Sequence, residues 1–182
     1  SVFLNQEEVF FPFAKINALL YYLHINGAVN RDEIAGILWE NKDNQTAKKN
    51  LRNTIYQANK LLGGEWVVAP NRTVLSLNPE CAIESDVERF TDHPAKHLSL
   101  YQGDFLQGFY LKDSEAFDYW VSKMRTRYEQ LYIQACYQQL ETEKDQLDLE
   151  EAERNLRRLI SIDEFDEKNY HLLMKLYQDH DR

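Results

Sequence analysis

Apolar residues recur every three or four positions in three stretches near the start of the chain, which is the spacing of one face of an α-helix. This pattern predicts helices over Phe13–Asn26, Asn30–Trp39 and Asn44–Leu62. Asn30 and Asn44 are suitable N-caps, because an asparagine side-chain oxygen can accept a hydrogen bond from the first turn of a helix. The sequence therefore predicts three successive helices, of which the third is the longest.

Short runs of β-branched and aromatic residues lie on both sides of this helical segment. Val2–Leu4 and residues 8–11 flank one polar turn, and Trp66–Val68 and Val74–Leu77 flank a second turn at Ala69–Arg72. Such pairs predict β-hairpins. Three helices followed by a hairpin is the order of elements in a winged helix-turn-helix.

The second half of the chain has the pattern of a helical module. We expect helices at about 115–141, 149–161 and 167–179, joined by polar segments such as Lys144–Gln146. Antiparallel helices of this length favour tetratricopeptide-like packing, although the full repeat signature is not visible.

The charge of the chain divides near the same point. The net charge is −9, but residues 1–78 hold eight basic and seven acidic residues, whereas the remainder holds 13 basic and 23 acidic residues. Asn44–Leu62 contains four basic residues and no acidic one, which concentrates positive potential on the third helix. We predict a mainly α fold with small β: a winged-helix DNA-binding domain over 1–80 and an acidic helical-repeat domain over 81–182.

The third helix has one face that could read DNA. The apolar residues of this helix form one stripe, which consists of Ala47, Leu51, Ile55, Ala58 and Leu62. This stripe must face the core, so the polar residues of the helix project to the other side. Lysine and arginine can bind phosphate there, while asparagine, glutamine and arginine can hydrogen-bond base edges. Arg72, at the tip of the following hairpin, could enter a minor groove. The candidate DNA-binding residues are Lys48, Lys49, Arg52, Asn53, Tyr56, Gln57, Lys60 and Arg72.

Two other interpretations of this face remain open. Most polar stripes on amphipathic helices are simply solvated. Alternatively, the winged helix could be a protein–protein interaction module that never contacts DNA, which the acidic net charge favours.

Aromatic residues in the second half could serve self-association or a small-molecule pocket, but aromatic residues at helical spacing more often form core.

An ordered series of segments along nearly the whole chain carries a resemblance to known proteins. These segments are Lys15–Leu23, Arg31–Trp39, Ala47–Arg52, Asp86–Phe90, Tyr101–Leu106, Trp120 and Asp163–Glu167. The first three resemble the OmpR-like winged helix of Streptomyces-type antibiotic regulatory proteins, and the later ones resemble the bacterial transcriptional activator domain that follows it.

The resemblance implies a transcription regulator, acting as an activator, that binds double-stranded promoter DNA through the third helix and the wing. It also implies self-association on DNA through the helical module, and RNA polymerase is a further candidate partner. Tyr56, Gln57 and Asn59 depart from the basic residues found in relatives, which predicts fewer phosphate contacts. The family pattern extends beyond both ends of this sequence, so we expect a fragment of a longer regulator.

No sequence motif indicates an enzyme, a cofactor or a metal site. The sequence lacks a nucleophile elbow, a phosphate-binding glycine loop, and metal-ligand spacings. His93 and His97 are four residues apart, but a surface loop is the better explanation than zinc. Cys81 and Cys136 are expected to be buried reduced thiols. The absence of an apolar run near the ~20 residues that span a bilayer predicts no membrane contact and a cytoplasmic location.

Overall fold

The computed structural model describes residues 1–142 and 148–179 and divides into two compact units. Unit 1 comprises Ser1–Ile83 and Gly108–Lys123, and unit 2 comprises Glu84–Gln107 and Met124–Arg182. The predicted linker Lys144–Gln146 lies outside the described residues. The predicted boundary at residue 80 concerns whether residues 1–80 and 81–182 fold independently, and it stays a prediction.

Unit 1 begins with a hairpin and three helices. Strands β1 and β2 pair antiparallel, with Phe3 opposite Glu8 and Leu4 opposite Glu7. The turn between them is tighter than the sequence predicted, because Glu7 belongs to the strand and only Asn5 and Gln6 turn, both with positive φ. The bounds are β1 Phe3–Leu4, β2 Glu7–Glu8, α1 Ala14–Asn26, β3 Val29–Asn30, α2 Arg31–Leu38 and α3 Asn44–Leu62.

A three-stranded antiparallel sheet completes this part of unit 1. Strands β4 (Val67–Val68) and β5 (Val74–Leu77) form the predicted hairpin, and β5 also pairs with β3 in the order β3-β5-β4. Strand β3 was not predicted, because two residues leading into a helix carry no detectable periodicity. The helices and this hairpin match the predicted element order.

The core of unit 1 is formed by the apolar faces of its helices together with a segment from later in the sequence. Gly108–Lys123 belongs to this unit, and its side chains Leu111, Phe117, Trp120 and Val121 are buried. The Trp120 ring lies 4.8 Å from the Tyr22 ring on α1, measured between centroids. On the helix predicted at 115–141, the aromatic side chains of Phe117, Trp120, Tyr128 and Tyr132 are buried, whereas Tyr119 is exposed.

Unit 2 is a helical assembly around aromatic and aliphatic side chains. Its buried cluster includes Phe90, Tyr101, Tyr128, Tyr132 and Leu156. Two short 3-10 turns, Pro94–Lys96 and Leu98–Leu100, follow its first helix. The remaining bounds are α4 Asp86–Asp92, α5 Glu115–Thr142, α6 Leu149–Ile162 and α7 Glu167–Asp179; the first nine residues of α5 belong to unit 1.

A chain of buried polar groups joins elements of unit 2. The Tyr132 hydroxyl donates to Oδ1 of Asn155, whose amide donates to Gln139, which donates in turn to the carbonyl of Ala95. Because buried polar groups need such partners, this chain of hydrogen bonds fixes how α5 and α6 face each other.

Of the two cysteines expected to be buried, Cys136 is buried, and burial raises its pKa to about 11, whereas Cys81 is only half-buried.

Candidate nucleic-acid interface

Helix α3 has defined caps at both ends. Asp43 is its N-cap: the carboxylate accepts a hydrogen bond from the amide of Thr46 at 2.9 Å, and hydrogen bonds from Thr46 lower the pKa of Asp43. Asn44, the predicted cap, is instead the first helical residue. Both side chains can cap, so sequence alone could not choose between neighbours. Gly63 ends the helix in the left-handed conformation, with φ of 70°.

The register of α3 agrees with the predicted core stripe. Ala47, Leu51, Ala58 and Leu62 are buried, and Ile55 is half-buried at the margin. The opposite side carries Lys49, Asn53, Tyr56 and Lys60, all of them exposed. These four residues follow the spacing of a single helical stripe.

This outward stripe combines positive charge with one aromatic ring. Tyr56 is 61% exposed, so its ring is accessible to a partner on this side of α3. The two lysines bracket it, and α3 contains no acidic residue that would offset their charge. The stripe therefore presents cationic, amide and aromatic groups together to any partner.

A cleft of about 380 Å³ opens beside the stripe, on the flank of α3. It brings together basic residues from three elements: Arg31 from α2, Lys48 and Arg52 from α3, and Arg72 from the β4–β5 turn. The residues that line the cleft are Arg31, Asp32, Lys48, Leu51, Arg52 and Arg72. Four cations and one carboxylate make the cleft strongly positive, although the chain as a whole is acidic.

Local hydrogen bonds hold the walls of this cleft together. The amide of Arg31 donates to the carbonyl of Thr73 at 2.8 Å, which ties the start of α2 to the β4–β5 turn. The side-chain oxygen of Asn71 accepts from the amides of Thr73 and Val74 at 2.9 and 3.0 Å. This Asx-type turn fixes the backbone on both sides of Arg72.

The start of α2 is fixed in the same way. Asn30 caps the helix as predicted, accepting from the amides of Asp32 and Glu33 at 2.8 and 3.4 Å. Asp32 then lies on the cleft and forms an ion pair with Lys48, with 2.9 Å between Nζ and Oδ2. Both side chains are substantially exposed, so the ion pair contributes little to stability.

Asn59 on α3 has a structural role that the sequence did not reveal. Its amide nitrogen donates to the carbonyl of Val67 at 2.9 Å, and its side-chain oxygen accepts from the Val67 amide at 2.8 Å. These two hydrogen bonds attach β4 to α3. A basic residue at position 59 could not form both of them, because lysine and arginine have no acceptor.

The eight residues predicted for DNA contact all lie in unit 1, and seven of them fall into two groups. Lys49, Asn53, Tyr56 and Lys60 form the outward stripe, and Lys48, Arg52 and Arg72 line the cleft. Gln57 is half-buried on the other flank of α3. The sequence did not identify Arg31 or Asp32 as residues of this site. The predicted cap at Asn30, followed by charged residues, was the only indication, and it could not show that Thr73 lies beside Arg31.

Over residues 1–142 and 148–179, no three histidine, cysteine or acidic side chains are grouped so that they could hold a metal ion. Nor does any helix within those ranges have the length and apolar character needed to cross a membrane. The rings of His93 and His97 stand edge to face with centroids 6.5 Å apart.

Comparison with known proteins identifies the second half of the chain. Residues 78–182 match the model of the bacterial transcriptional activator domain, which is more than half of the sequence. The match includes all of unit 2 and the Gly108–Lys123 segment of unit 1. A search of curated proteins found no match to this chain. The chain therefore belongs to the bacterial transcriptional activator domain family.

Proposed function

We propose that the chain is a sequence-specific, DNA-binding transcription regulator, and that it acts as an activator through a winged helix-turn-helix in unit 1. The observation that carries this proposal is the cleft in which α2, α3 and the β4–β5 turn each contribute basic side chains beside the outward stripe of α3. A positive surface built from a helix and a hairpin tip matches the two features by which winged helices contact duplex DNA.

The two parts of the surface have different tasks in this proposal. Arg31, Arg52 and Arg72 bind phosphate oxygens and set the position of the protein on the duplex. Asn53 and Tyr56 on the outward stripe face the major groove, where an amide can recognise adenine and an aromatic edge can contact a thymine methyl group. Lys49 and Lys60 bind phosphates on either side of the groove.

The acidic helical module does not add affinity for a polyanion, so it needs another role. We propose that it supports assembly of two copies on adjacent half-sites. Two linked winged helices gain effective concentration without any new base contact. Membership in the activator-domain family supports a regulatory role of this kind.

Charge reversal on the outward stripe tests DNA binding. The double variant Lys49→Glu with Lys60→Glu should weaken binding to every duplex at low salt by at least about tenfold, because two phosphate contacts become repulsive. The measurement is fluorescence anisotropy with a labelled duplex over a salt series. The matched control is Lys112→Glu with Lys175→Glu, which makes the same change in net charge at exposed residues that belong neither to α3 nor to the cleft lining. Equal affinities for the two double variants would refute the proposed interface.

A protein-docking module is the second candidate function, favoured by the exposed Tyr56 and Leu61 on α3 and by the acidic net charge. The same salt series separates the two functions. DNA binding through the cleft and stripe releases counterions, so affinity falls steeply as salt rises. Failure to bind any duplex even at low salt would favour protein docking.

A further inference from the structure

One of the four cations in the cleft already has an anionic partner. The Lys48 ammonium lies 2.9 Å from the Asp32 carboxylate, and Asp32 is the single acidic residue among those that line the cleft. The ion pair links the first turn of α2 to the first turns of α3. Any phosphate that enters the cleft must therefore meet a carboxylate as well as four basic side chains.

We propose that the Asp32 carboxylate competes with DNA phosphate for Lys48. It pairs with Lys48 in the free protein and lowers the affinity for duplex DNA, and a phosphate replaces it as the partner of Lys48 when DNA binds. This inference rests on the proposed function and names the residue that regulates the same site. Asp32 has a positioning role, because its carboxylate holds Lys48 and its negative charge repels phosphate.

The two side chains differ in length, and the longer one, Lys48, can reach a second partner. Asp32 lies in the first turn of α2, two residues after the Asn30 cap, whose side-chain oxygen accepts a hydrogen bond from the Asp32 backbone amide. Lys48 has a long flexible side chain on the flank of α3. Because the ion pair is exposed, breaking it costs little, and Lys48 can turn to a phosphate held by Arg31, Arg52 and Arg72.

The expected consequence is restrained non-specific binding. Sequence-independent affinity comes from phosphate contacts, and a carboxylate in the cleft reduces it for every duplex alike. Base contacts from the outward stripe are unaffected by Asp32, so the ratio of specific to non-specific affinity is set by the stripe while the absolute affinity is set by the cleft.

Neutralising Asp32 tests the inference directly. Asp32→Asn should bind a random-sequence duplex about three- to tenfold more tightly than the unsubstituted chain, as expected for removing one negative charge close to a phosphate in a solvated cleft. The plot of log affinity against log salt should steepen by up to about 0.9, the value of one added phosphate contact. The matched control is Glu7→Gln, which removes one negative charge at an exposed site in β2 that does not line the cleft.

A double-variant cycle shows whether Asp32 acts through Lys48. With Lys48→Gln already in place, Asp32→Asn should gain less affinity than it does in the unsubstituted chain, since no ammonium remains to be released. A merely structural role of Asp32 in α2 would instead lower the thermal midpoint and reduce affinity in both backgrounds. Circular dichroism melts of each variant provide this comparison.

The outcomes separate this inference from the proposed function on which it rests. Tighter binding by Asp32→Asn than by Glu7→Gln, together with a reduced gain when Lys48 is absent, supports both. Equal affinities for Asp32→Asn and Glu7→Gln, in a chain that does bind duplex DNA, overturn the inference alone. Absence of duplex binding by the unsubstituted chain and by all variants overturns the proposed function and the inference together.

Discussion

The carboxylate of Glu40, just after α2, accepts a hydrogen bond from the backbone amide of Ala116 at 2.9 Å, close to the first residue of α5. It also accepts from the amide of Glu115 at 3.1 Å, so one side chain satisfies two of the unpaired donors at the start of this helix. The hydroxyl of Ser114 donates to the carbonyl of Leu38 at 3.1 Å. These three hydrogen bonds connect the turn between α2 and α3 to the start of α5.

Replacing Glu40 should weaken this attachment. Glu40→Gln keeps the size of the side chain but loses the charge that strengthens both hydrogen bonds, so we expect the free energy of unfolding to fall by about 1 kcal/mol. Urea unfolding followed by circular dichroism measures the change. Glu65→Gln, at an exposed position in the same unit, is the control and should leave the midpoint unchanged. A Glu40→Gln midpoint equal to that of the control would show that the cap contributes nothing.

Cutting the chain at residue 80 should expose part of the core of unit 1. Leu111, Phe117 and Trp120 are buried in this unit, and loss of a single large core side chain costs about 3–5 kcal/mol. We therefore expect residues 1–80 to melt without cooperativity or at a much lower midpoint than residues 1–182. Residues 1–123, which retain the missing segment, are the control and should melt cooperatively. A fragment 1–80 as stable as the whole chain would support the division predicted from the sequence.

Stability at high pH should depend on Tyr22. Burial, and next the nearby charge and hydrogen bond of Glu33, raise the pKa of Tyr22 to about 12, from an ordinary value of 10.0. A raised pKa means that the stability contributed by the protonated hydroxyl is complete below pH 10 and is lost as pH rises toward 12. The advantage of the unsubstituted chain over Tyr22→Phe should therefore shrink across this range. Urea midpoints at pH 9, 10 and 11 test this, and a constant difference between the two proteins would contradict it.

The sequence predicted the helices well because their amphipathic periodicity is long and regular. Leu51 and Ala58 were placed on the buried face of α3, and Asn30 was identified as a cap, because both assignments depend on residues close together in the chain. The same reasoning could not choose Asp43 over Asn44 as the cap of α3, since adjacent polar residues have similar capping ability.

Features that depend on distant residues could not be predicted in this way. Arg31 enters the cleft only because its backbone binds Thr73, and Asn59 is structural only because Val67 lies beside it. Likewise, helical spacing favoured a core role for aromatic residues such as Phe117 and Trp120, but it could not show which core they enter. The outward stripe was predictable from α3 alone, whereas the cleft required the packing of three elements.

Assembly on DNA should depend on the spacing between two half-sites. If the helical module joins two copies, they must face the same side of the duplex, and half-sites should therefore lie one helical turn apart, about 10–10.5 base pairs between centres. A duplex carrying two copies of a half-site, obtained by selection from random sequences with the 182-residue chain, should be occupied cooperatively at that spacing. Adding about five base pairs rotates one site to the opposite face and should abolish cooperativity, while adding a full turn should restore part of it. Gel-shift titrations of these duplexes and of a one-site duplex measure the effect. Independent occupation of both sites at every spacing would remove assembly from the role of the helical module, without affecting the DNA contacts proposed for α3.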